Sequence, residues 1–232
     1  MTKRTKIIGH RGAAGLALEN SSESLQKALE HGVDIIEFDV HLTKDNEVVV
    51  LHDQHTGRIA GDSVLVREKT LGELRQLELK NGQHLPTLDE ILTILAGTSV
   101  IIDIKDTGMA EALLSVTARH PDVAAIFASF HFSELQTLRR LNPNVRAYVL
   151  MHFRPFKIAL DAYKLRATGV GLNKWLLNPL TYWLLRRRHI DLYVYTVNNR
   201  LAGRYIRTFY PAASICTDYP QRFTSKQSPT EK

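Results

Sequence analysis

The chain of 232 residues contains one cysteine and two tryptophans, and it lacks any long apolar run. Because Cys216 has no second cysteine to pair with, an intrachain disulfide is excluded and a reducing compartment is favoured. No stretch approaches the roughly 18 apolar residues of a membrane-spanning helix. The basic residues near the start lead directly into Gly9-His10-Arg11 rather than into an apolar segment, so no signal peptide is expected. We therefore predict a cytoplasmic protein.

Positive charge exceeds negative charge, with a net charge of +6, and 44% of the residues are hydrophobic. That hydrophobic fraction is normal for a globular protein with a sizeable core. The excess charge suits nucleic acid, an anionic membrane surface or an anionic substrate. Nucleic acid is disfavoured, because no stacking aromatic residues are interspersed among the basic ones and no nucleic-acid motif is present. The one dense basic run, 186–188, ends a predicted helix, where cations complement the helix dipole.

Apolar strand patterns alternate with amphipathic helix patterns along most of the chain. The predicted strands cover 6–10, 33–40, 48–51, 99–104, 124–129, 145–150, 170–172, 192–197 and 213–216. Without the strand at 48–51, which is too close to its predecessor for a crossover helix, eight strands alternate with helices. This count predicts an α/β fold, a (β/α)8 TIM barrel, in a single domain spanning residues 1–232. The polar segment 54–86 is predicted to form a small inserted lobe after strand two, and only a short polar tail follows Asp218.

Two local patterns refine this outline. The turn at 43–46 predicts an antiparallel hairpin, which would return His52 to a position beside Glu37, to within about a residue of register. Asn20 and Glu23 have the spacing of a capping box, which predicts that the first helix begins at Asn20. Glu19 is interpreted mainly as part of the same cap, with a position near the site as the alternative.

Ionisable residues are concentrated at the predicted strand ends. They are His10, Arg11, Glu37, Asp39, His52, Asp103 and Lys105. The carboxyl ends of barrel strands meet on one rim, so these side chains are expected to surround one mouth. Each has an ordinary alternative, since Glu37 and Asp39 suit a solvent-facing strand, Asp103 and Lys105 suit a local salt bridge, and the neighbouring Asp53 suits a loop cap. With Asp218 at the end of the last strand, five strand ends with ionisable groups on one rim nevertheless favour a site.

The residue types indicate one kind of chemistry. Three converging carboxylates repel one another unless a cation lies between them, and oxygen ligands without cysteine favour Mg²⁺ or Ca²⁺. Two histidines suit general acid–base catalysis near neutral pH. An arginine and a lysine suit an anion that gains charge in the transition state, as phosphate does. The combination predicts metal-assisted phosphoester hydrolysis.

The same residues form an ordered set of motifs that resembles the glycerophosphodiester phosphodiesterase family. The main motifs are His10-Arg11-Gly12, Glu19-Asn20, Glu37-Phe38-Asp39, Thr43-Lys44-Asp45 and His52-Asp53. Weaker matches follow at Leu85-Pro86-Thr87-Leu88, Ser129-Phe130, Thr196-Val197-Asn198 and Thr217-Asp218-Tyr219-Pro220. The resemblance covers nearly the whole chain, and it implies a TIM barrel with a small insertion after strand two.

The resemblance also implies roles for individual residues. Glu37, Asp39 and Asp103 would bind one divalent cation. His10 and His52 would be the acid–base pair. Arg11 would hold the substrate phosphate, with Lys105 beside it. The implied reaction hydrolyses a small-molecule glycerophosphodiester to glycerol 3-phosphate and an alcohol.

The chain departs from the family pattern at two positions. Asp103 replaces the usual glutamate, and its shorter side chain matters because metal–oxygen distances of roughly 2.3–2.6 Å for Ca²⁺ leave little slack. Tyr195 replaces the usual tryptophan before Thr196, at a position that would line the substrate pocket. The first change bears on metal binding, and the second bears on the alcohol preferred.

Two alternative functions stay open at this point. The segment 175–185, followed by three arginines, is typical of an interfacial helix, which would suit lysophospholipase D-type hydrolysis of lysophospholipids at a membrane surface. The same segment is more typical of an ordinary outer barrel helix that packs on the strands. A weakened metal site at Asp103 would instead suit a non-catalytic anion-binding barrel. The sequence leaves open the metal, the attacking group, the alcohol and the oligomeric state.

Overall fold

The computed structural model describes residues 4–151 and 155–224. The strands are β1 (Ile7–His10), β2 (Ile35–Leu42), β3 (Val48–Val50), β4 (Ser99–Ile104), β5 (Ala124–Ser129), β6 (Arg146–Met151), β7 (Gly169–Asn173), β8 (Asp191–Tyr195) and β9 (Ala213–Thr217). Eight of them pair in parallel around a closed sheet, in which β1 contacts both β2 and β9. β3 alone is antiparallel and pairs with β2. The predicted (β/α)8 TIM barrel with a hairpin after its second strand is confirmed.

The helices lie between the strands. They are α1 (Ser22–Glu30), α2 (Leu71–Leu74), α3 (Leu88–Ile94), α4 (Ala110–Ala118), α5 (Phe132–Leu141), α6 (Pro155–Leu165), α7 (Pro179–Arg187) and α8 (Arg200–Phe209). Capping boxes begin α2 and α3, at Thr70 with Glu73 and at Thr87 with Glu90. No helix in the two described ranges is long and apolar enough to cross a membrane. After β9 a single 3-10 turn follows, and the predicted polar tail beyond residue 224 lies outside the described residues.

The predicted start of the first helix at Asn20 is wrong by two residues. Ser21 is the N-cap, and its hydroxyl accepts a hydrogen bond from the backbone N–H of Ser24 at 3.2 Å. Asn20 has a left-handed backbone with φ of 58°, and its side chain is buried in contact with Asp39. A side chain already bonded to a neighbouring strand cannot cap the helix, so the next hydroxyl does so.

Side chains alternate between the two faces of each barrel strand. The outward-facing residues pack against the helices in one large apolar cluster. The inward-facing residues form a separate interior cluster that includes Ile8, Ile101, Tyr148 and Tyr193. The next inward positions toward the carboxyl ends of the strands are polar. His10 of β1, for example, is the register partner of Glu37 of β2. The barrel is therefore filled by apolar groups at one end and lined by polar groups at the other.

The hairpin places His52 near the polar end of the barrel. β3 pairs with β2 in a register that aligns Val50 with Val40, so its continuation would set His52 one residue from the predicted partner Glu37. Residues 54–86 follow the hairpin and pack on it through a small apolar cluster of their own, which includes Leu51, Ile59 and Leu74. The description of this segment as a lobe within one domain stays a prediction.

Candidate active site

The polar end of the barrel contains a pocket, and every residue to which the sequence assigns a catalytic, metal-binding or substrate-binding role lines it. These residues are His10, Arg11, Glu37, Asp39, His52, Asp103, Lys105 and Tyr195. They come from β1, β2, β4 and β8 and from the segments that follow β1, β3 and β4. Parallel strands of a barrel end on one rim, so residues far apart in the chain meet there.

Three buried carboxylates form the centre of the pocket. Asp39 and Asp103 are register partners on the adjacent strands β2 and β4. One oxygen from each of Glu37, Asp39 and Asp103 lies within 4.8 Å of the others. The Lys105 ammonium lies 2.8 Å from Asp39 Oδ1 and 2.6 Å from Asp103 Oδ2. The expected salt bridge between Asp103 and Lys105 is present, and Lys105 also binds Asp39.

The nearby cations do not balance these carboxylates equally. Burial and the charge of Asp39 raise the pKa of Glu37 to about 7. Burial, with the charge of Asp39, raises the pKa of Asp103 to about 6, although Lys105 acts in the opposite direction. Burial opposes ionisation of Asp39 as well, but Lys105 and Arg11 outweigh it and lower the pKa of that carboxyl. A cluster in which two of three carboxyls resist ionisation is short of positive charge.

The carboxylates fit a divalent cation. Asp103 Oδ1 is buried and has no hydrogen-bond partner in the described ranges. An ion that bridges opposed oxygens places them up to twice the metal–oxygen distance apart, roughly 4.6–5.2 Å for Ca²⁺. The three carboxylate oxygens lie within 4.8 Å of one another, so their separations agree with that range. The shorter side chain of Asp103, compared with glutamate, does not remove it from the cluster. All three donors are oxygens, which suit Mg²⁺ or Ca²⁺.

His10 is held by a chain of hydrogen bonds from the last strand. Its Nδ1 lies 2.6 Å from Asp218 Oδ1, and Asn198 Nδ2 donates to the other Asp218 oxygen at 2.5 Å. The Asn198 amide is itself oriented, because its oxygen accepts from the Thr217 hydroxyl and the Asp218 backbone N–H. Burial lowers the pKa of His10, but the hydrogen bond to Asp218 and the nearby Glu37 outweigh it, so the pKa is raised.

His52 is held by residues of the hairpin and of the segment that follows it. Its Nδ1 lies 2.7 Å from Asp53 Oδ1, and Arg58 Nε donates to Asp53 Oδ2 at 2.5 Å. The backbone carbonyl of His52 is 3.0 Å from Nε2 of His41, a buried side chain whose Nδ1 bonds Asp106. Burial lowers the pKa of His52, and Asp39 only partly opposes that effect. Asp53, interpreted from the sequence as a loop cap, therefore orients a site histidine instead.

Arg11 joins the carboxylates to the inserted segment. Its backbone N–H donates to Glu37 Oε2 at 2.9 Å, and its guanidinium lies 3.2 Å from Asp39 Oδ2. Arg11 Nη1 also donates to Glu19 Oε1 at 2.8 Å, and Arg58 Nη2 donates to the same oxygen at 2.7 Å. The interpretation of Glu19 mainly as a helix cap is wrong, because its carboxylate bridges two arginines at the mouth.

Sequence reasoning did not assign a role at the site to four residues: Asn20, Asp53, Arg58 and Asp218. The Asn20 amide donates to Asp39 Oδ2 at 2.9 Å, and its oxygen accepts from the Asp39 backbone N–H at 3.2 Å. Three of the four belong to motifs that carry the family resemblance, and that membership was the available signal. Arg58 belongs to no such motif, so no pattern in the sequence pointed to it.

Part of the pocket wall is aromatic and aliphatic. Phe130, Leu150, Tyr193 and Tyr195 line it, and Lys105 Nζ lies 5.8 Å from the centre of the Phe130 ring. The Tyr193 and Tyr195 rings have centroids 5.8 Å apart. One pocket thus offers cations, carboxylates and apolar surface together, which suits an anion joined to an organic group.

Comparisons with known proteins agree with this geometry. The chain matches the glycerophosphoryl diester phosphodiesterase family over residues 10–222. It is 27% identical to a glycerophosphodiester phosphodiesterase of Bacillus subtilis, over 95% of this chain and 85% of that protein. It is 36% identical to the human lysophospholipase D GDPD1, over 44% of this chain and 36% of that protein.

A solved structure has the same fold. An Oleispira antarctica phosphodiesterase, determined with the product sn-glycerol-3-phosphate, superposes with a TM-score of 0.88 at 23% identity. The superposition covers 94% of this chain and 95% of that chain. The family match spans both the carboxylate cluster and the two histidines. The chain therefore belongs to the glycerophosphoryl diester phosphodiesterase family and is an enzyme of that family, a phosphoric diester hydrolase.

Proposed function

We propose that the chain hydrolyses glycerophosphodiesters to glycerol 3-phosphate and an alcohol, with one divalent cation and with His10 and His52 as the acid–base pair. The observation that carries the proposal is the shared pocket of two histidines and three buried carboxylates. Each histidine has its Nδ1 bonded to a carboxylate, so Nε2 is the ring nitrogen available for proton transfer. Family membership supports the substrate class.

Glu37, Asp39 and Asp103 would hold the cation, which is Mg²⁺ or Ca²⁺. When bound, the cation neutralises charge on a phosphoryl oxygen and polarises the phosphorus for attack. Lys105 holds two of the three carboxyl groups in place, because its ammonium binds both Asp39 and Asp103. It acts to lower the pKa of both groups, although burial still leaves the pKa of Asp103 raised. Arg11 and Lys105 are also the cations nearest the pocket that could contact the phosphate, and their paired carboxylates fix their orientation.

The two histidines would divide the proton transfers. The raised pKa of His10 favours its imidazolium, and the lowered pKa of His52 favours its neutral ring. Opposite shifts in two titratable groups are the pattern expected of an acid and a base. His52 would accept the proton of the attacking hydroxyl as the new P–O bond forms. His10 would give a proton to the leaving alkoxide as the P–O bond to the alcohol breaks.

Kinetics of single variants test this division. His10→Ala and His52→Ala are each expected to lower kcat by about 10²–10⁴-fold, the usual contribution of a positioned acid or base. His84→Ala is the matched control, because His84 is exposed and remote from the pocket. Circular dichroism should show a folded barrel in all three variants. Near-normal rates in both site variants would refute the acid–base assignment.

Lysophospholipids are a second candidate substrate class. The human lysophospholipase D is a relative, and the apolar wall of Phe130, Leu150 and Tyr195 could take part of a longer alcohol or acyl group. A panel of water-soluble glycerophosphodiesters and lysophospholipids, compared by kcat/KM, separates the two classes. Higher kcat/KM for the soluble esters supports the first proposal, and a preference for lysophospholipids supports the second.

A further inference from the structure

We propose that the outer face of α6, α7 and α8 is a docking surface for an anionic phospholipid bilayer. The face is defined by Leu160, Tyr163, Leu180, Trp183, Leu201 and Tyr205, two residues from each helix. All six side chains are more than half exposed. This inference does not depend on the catalytic proposal, because it concerns a surface outside the pocket.

Exposed apolar side chains are concentrated on this side of the barrel. Nine large hydrophobic side chains are exposed in the described ranges, and eight of them lie between residues 160 and 209. Both tryptophans of the chain are among them, with Trp175 83% exposed and Trp183 51% exposed. Scattered single apolar residues are normal on protein surfaces, but a contiguous group indicates an interaction site.

The exposed groups follow the helical period and so lie on common faces. On α7, Leu180, Trp183 and Arg187 are spaced i, i+3 and i+7, while Thr181 and Leu185 are buried against the barrel. The helix is therefore an ordinary outer barrel helix with a second, exposed apolar stripe. On α8, Leu201 and Tyr205 are spaced i, i+4 and form a matching stripe.

Contacts between neighbouring helices join the stripes into one surface. The Arg188 guanidinium lies 4.5 Å from the centre of the Tyr163 ring, which links the end of α7 to α6. Beneath the surface, Tyr182 of α7 and Tyr205 of α8 both contact the buried ring of Tyr210, with ring centres 5.2 and 6.0 Å away, which shows that α7 and α8 are neighbours. The face therefore continues across three adjacent helices.

Charge identifies the partner. Residues 155–224 contain eleven lysines and arginines against three aspartates and no glutamate, a net charge of +8, whereas the whole chain carries only +6. α7 and α8 contain no acidic residue, and the one acid of α6, Asp161, is buried and paired with Lys157. The basic excess of the molecule thus lies in the segment that contributes the exposed apolar stripes.

Aromatic and aliphatic groups flanked by arginine match the interface of an anionic bilayer. Tryptophan and tyrosine partition into the headgroup region, leucine enters the acyl boundary, and each basic residue gains attraction to anionic lipids. Arg187 already stacks on Trp183 at 5.1 Å, so charge and apolar area lie together. A second copy of the chain would oppose two strongly basic faces, and nucleic acid would offer nothing to the leucines.

Vesicle co-sedimentation of the full chain tests the proposal. Binding is expected to phosphatidylglycerol–phosphatidylcholine vesicles and to be weaker by about tenfold or more on pure phosphatidylcholine or in high salt. Trp183→Ala combined with Leu201→Ala should lose most of the binding. Leu141→Ala, at an exposed leucine of α5, is the apolar control and should bind like the unaltered chain.

A charge-matched pair separates local from general electrostatics. Arg186→Glu with Arg187→Glu should weaken binding by about fivefold or more for each arginine replaced. Lys44→Glu with Lys80→Glu changes the net charge equally at exposed residues elsewhere and should weaken binding far less. Thermal unfolding confirms that each variant is folded, and sedimentation needs no catalysis, so failure here leaves the catalytic proposal untouched.

Three outcomes would overturn the proposal. The first is no sedimentation with anionic vesicles, and the second is undiminished binding by the Trp183/Leu201 variant. The third is assignment of the face to another partner. Light scattering that shows a dimer abolished by that variant would assign it to a second copy, and a gel shift lost in that variant, without vesicle binding, would assign it to nucleic acid.

Discussion

Replacing Asp218 by asparagine tests whether the last strand orients His10. The Asp218 carboxylate accepts from two donors, the His10 ring at 2.6 Å and the Asn198 amide at 2.5 Å. An asparagine has one oxygen, so it can serve only one of them. Asn198 cannot turn to compensate, because its own oxygen is bonded to Thr217 and to the backbone N–H of residue 218.

The expected magnitude follows from the hydrogen bond that is lost. A hydrogen bond to a charged group contributes about 1.5–3 kcal/mol. If that contribution is needed only when His10 carries its proton, kcat/KM should fall by about 10- to 150-fold. The pH profile should change in one direction. Activity requires neutral His52 and protonated His10, so it rises with pH through the pKa of His52 and falls through the raised pKa of His10.

Removing the Asp218 charge removes a group that raises the pKa of His10. The alkaline limb of the profile should therefore move to lower pH, by about one pH unit or more, while the acid limb stays in place. Asp62→Asn, at an exposed carboxylate of the inserted segment, is the control and should leave both limbs unchanged. A wild-type rate and an unmoved alkaline limb in Asp218→Asn would refute this account of His10.

Three further predictions follow from the site. Asp53→Asn should lower kcat by about tenfold or more and move the acid limb of the pH profile, because the Asp53 carboxylate is hydrogen-bonded to His52 Nδ1. A change in KM alone would contradict this role of Asp53. Asp103→Asn should weaken the affinity for Ca²⁺ or Mg²⁺ by about tenfold or more in calorimetric titration, because it removes one of the three carboxylates. Unchanged affinity would exclude Asp103 as a ligand. Gly12→Ala should lower the free energy of unfolding by about 1–3 kcal/mol in urea titration, because the φ of Gly12 is +81° and an added Cβ would lie 2.6 Å from the Ser24 backbone. An unchanged unfolding midpoint would refute this prediction.

The fold could be predicted because its signals are local. Strand and helix patterns alternate with short connections, and the turn at 43–46 is too short for anything but a hairpin. Capping-box spacing is another local signal, and it marks the observed helix starts at Thr70 and Thr87. The same spacing failed at Asn20, because a tertiary bond to Asp39 took the side chain that would have capped the helix.

The site was predictable in its composition and not in its connections. The strand-end rule placed Glu37 and Asp103 on one rim, although they are more than sixty residues apart. No spacing rule joins His10 to Asp218 or Glu19 to Arg58, because those contacts depend on how β9 and the inserted segment close around the mouth. Residues that orient the acid–base pair were therefore recognised only once the chain was folded.

The pairing of Lys105 also needed the structure. The sequence offered two interpretations, a phosphate-binding lysine and a local salt bridge to Asp103. The ammonium bonds Asp103 and Asp39 together, which neither interpretation specified. The phosphate-binding roles of Arg11 and Lys105, like the cytoplasmic location, stay predictions.

The most direct test of the central claim follows product formation in chelator-treated protein. Glycerophosphocholine is the substrate, and glycerol 3-phosphate and choline are the products measured. The account predicts no turnover with chelator, and release of both products in equal amounts once Mg²⁺ or Ca²⁺ is restored. Full activity in the presence of chelator, or release of glycerol and phosphocholine instead, would contradict it.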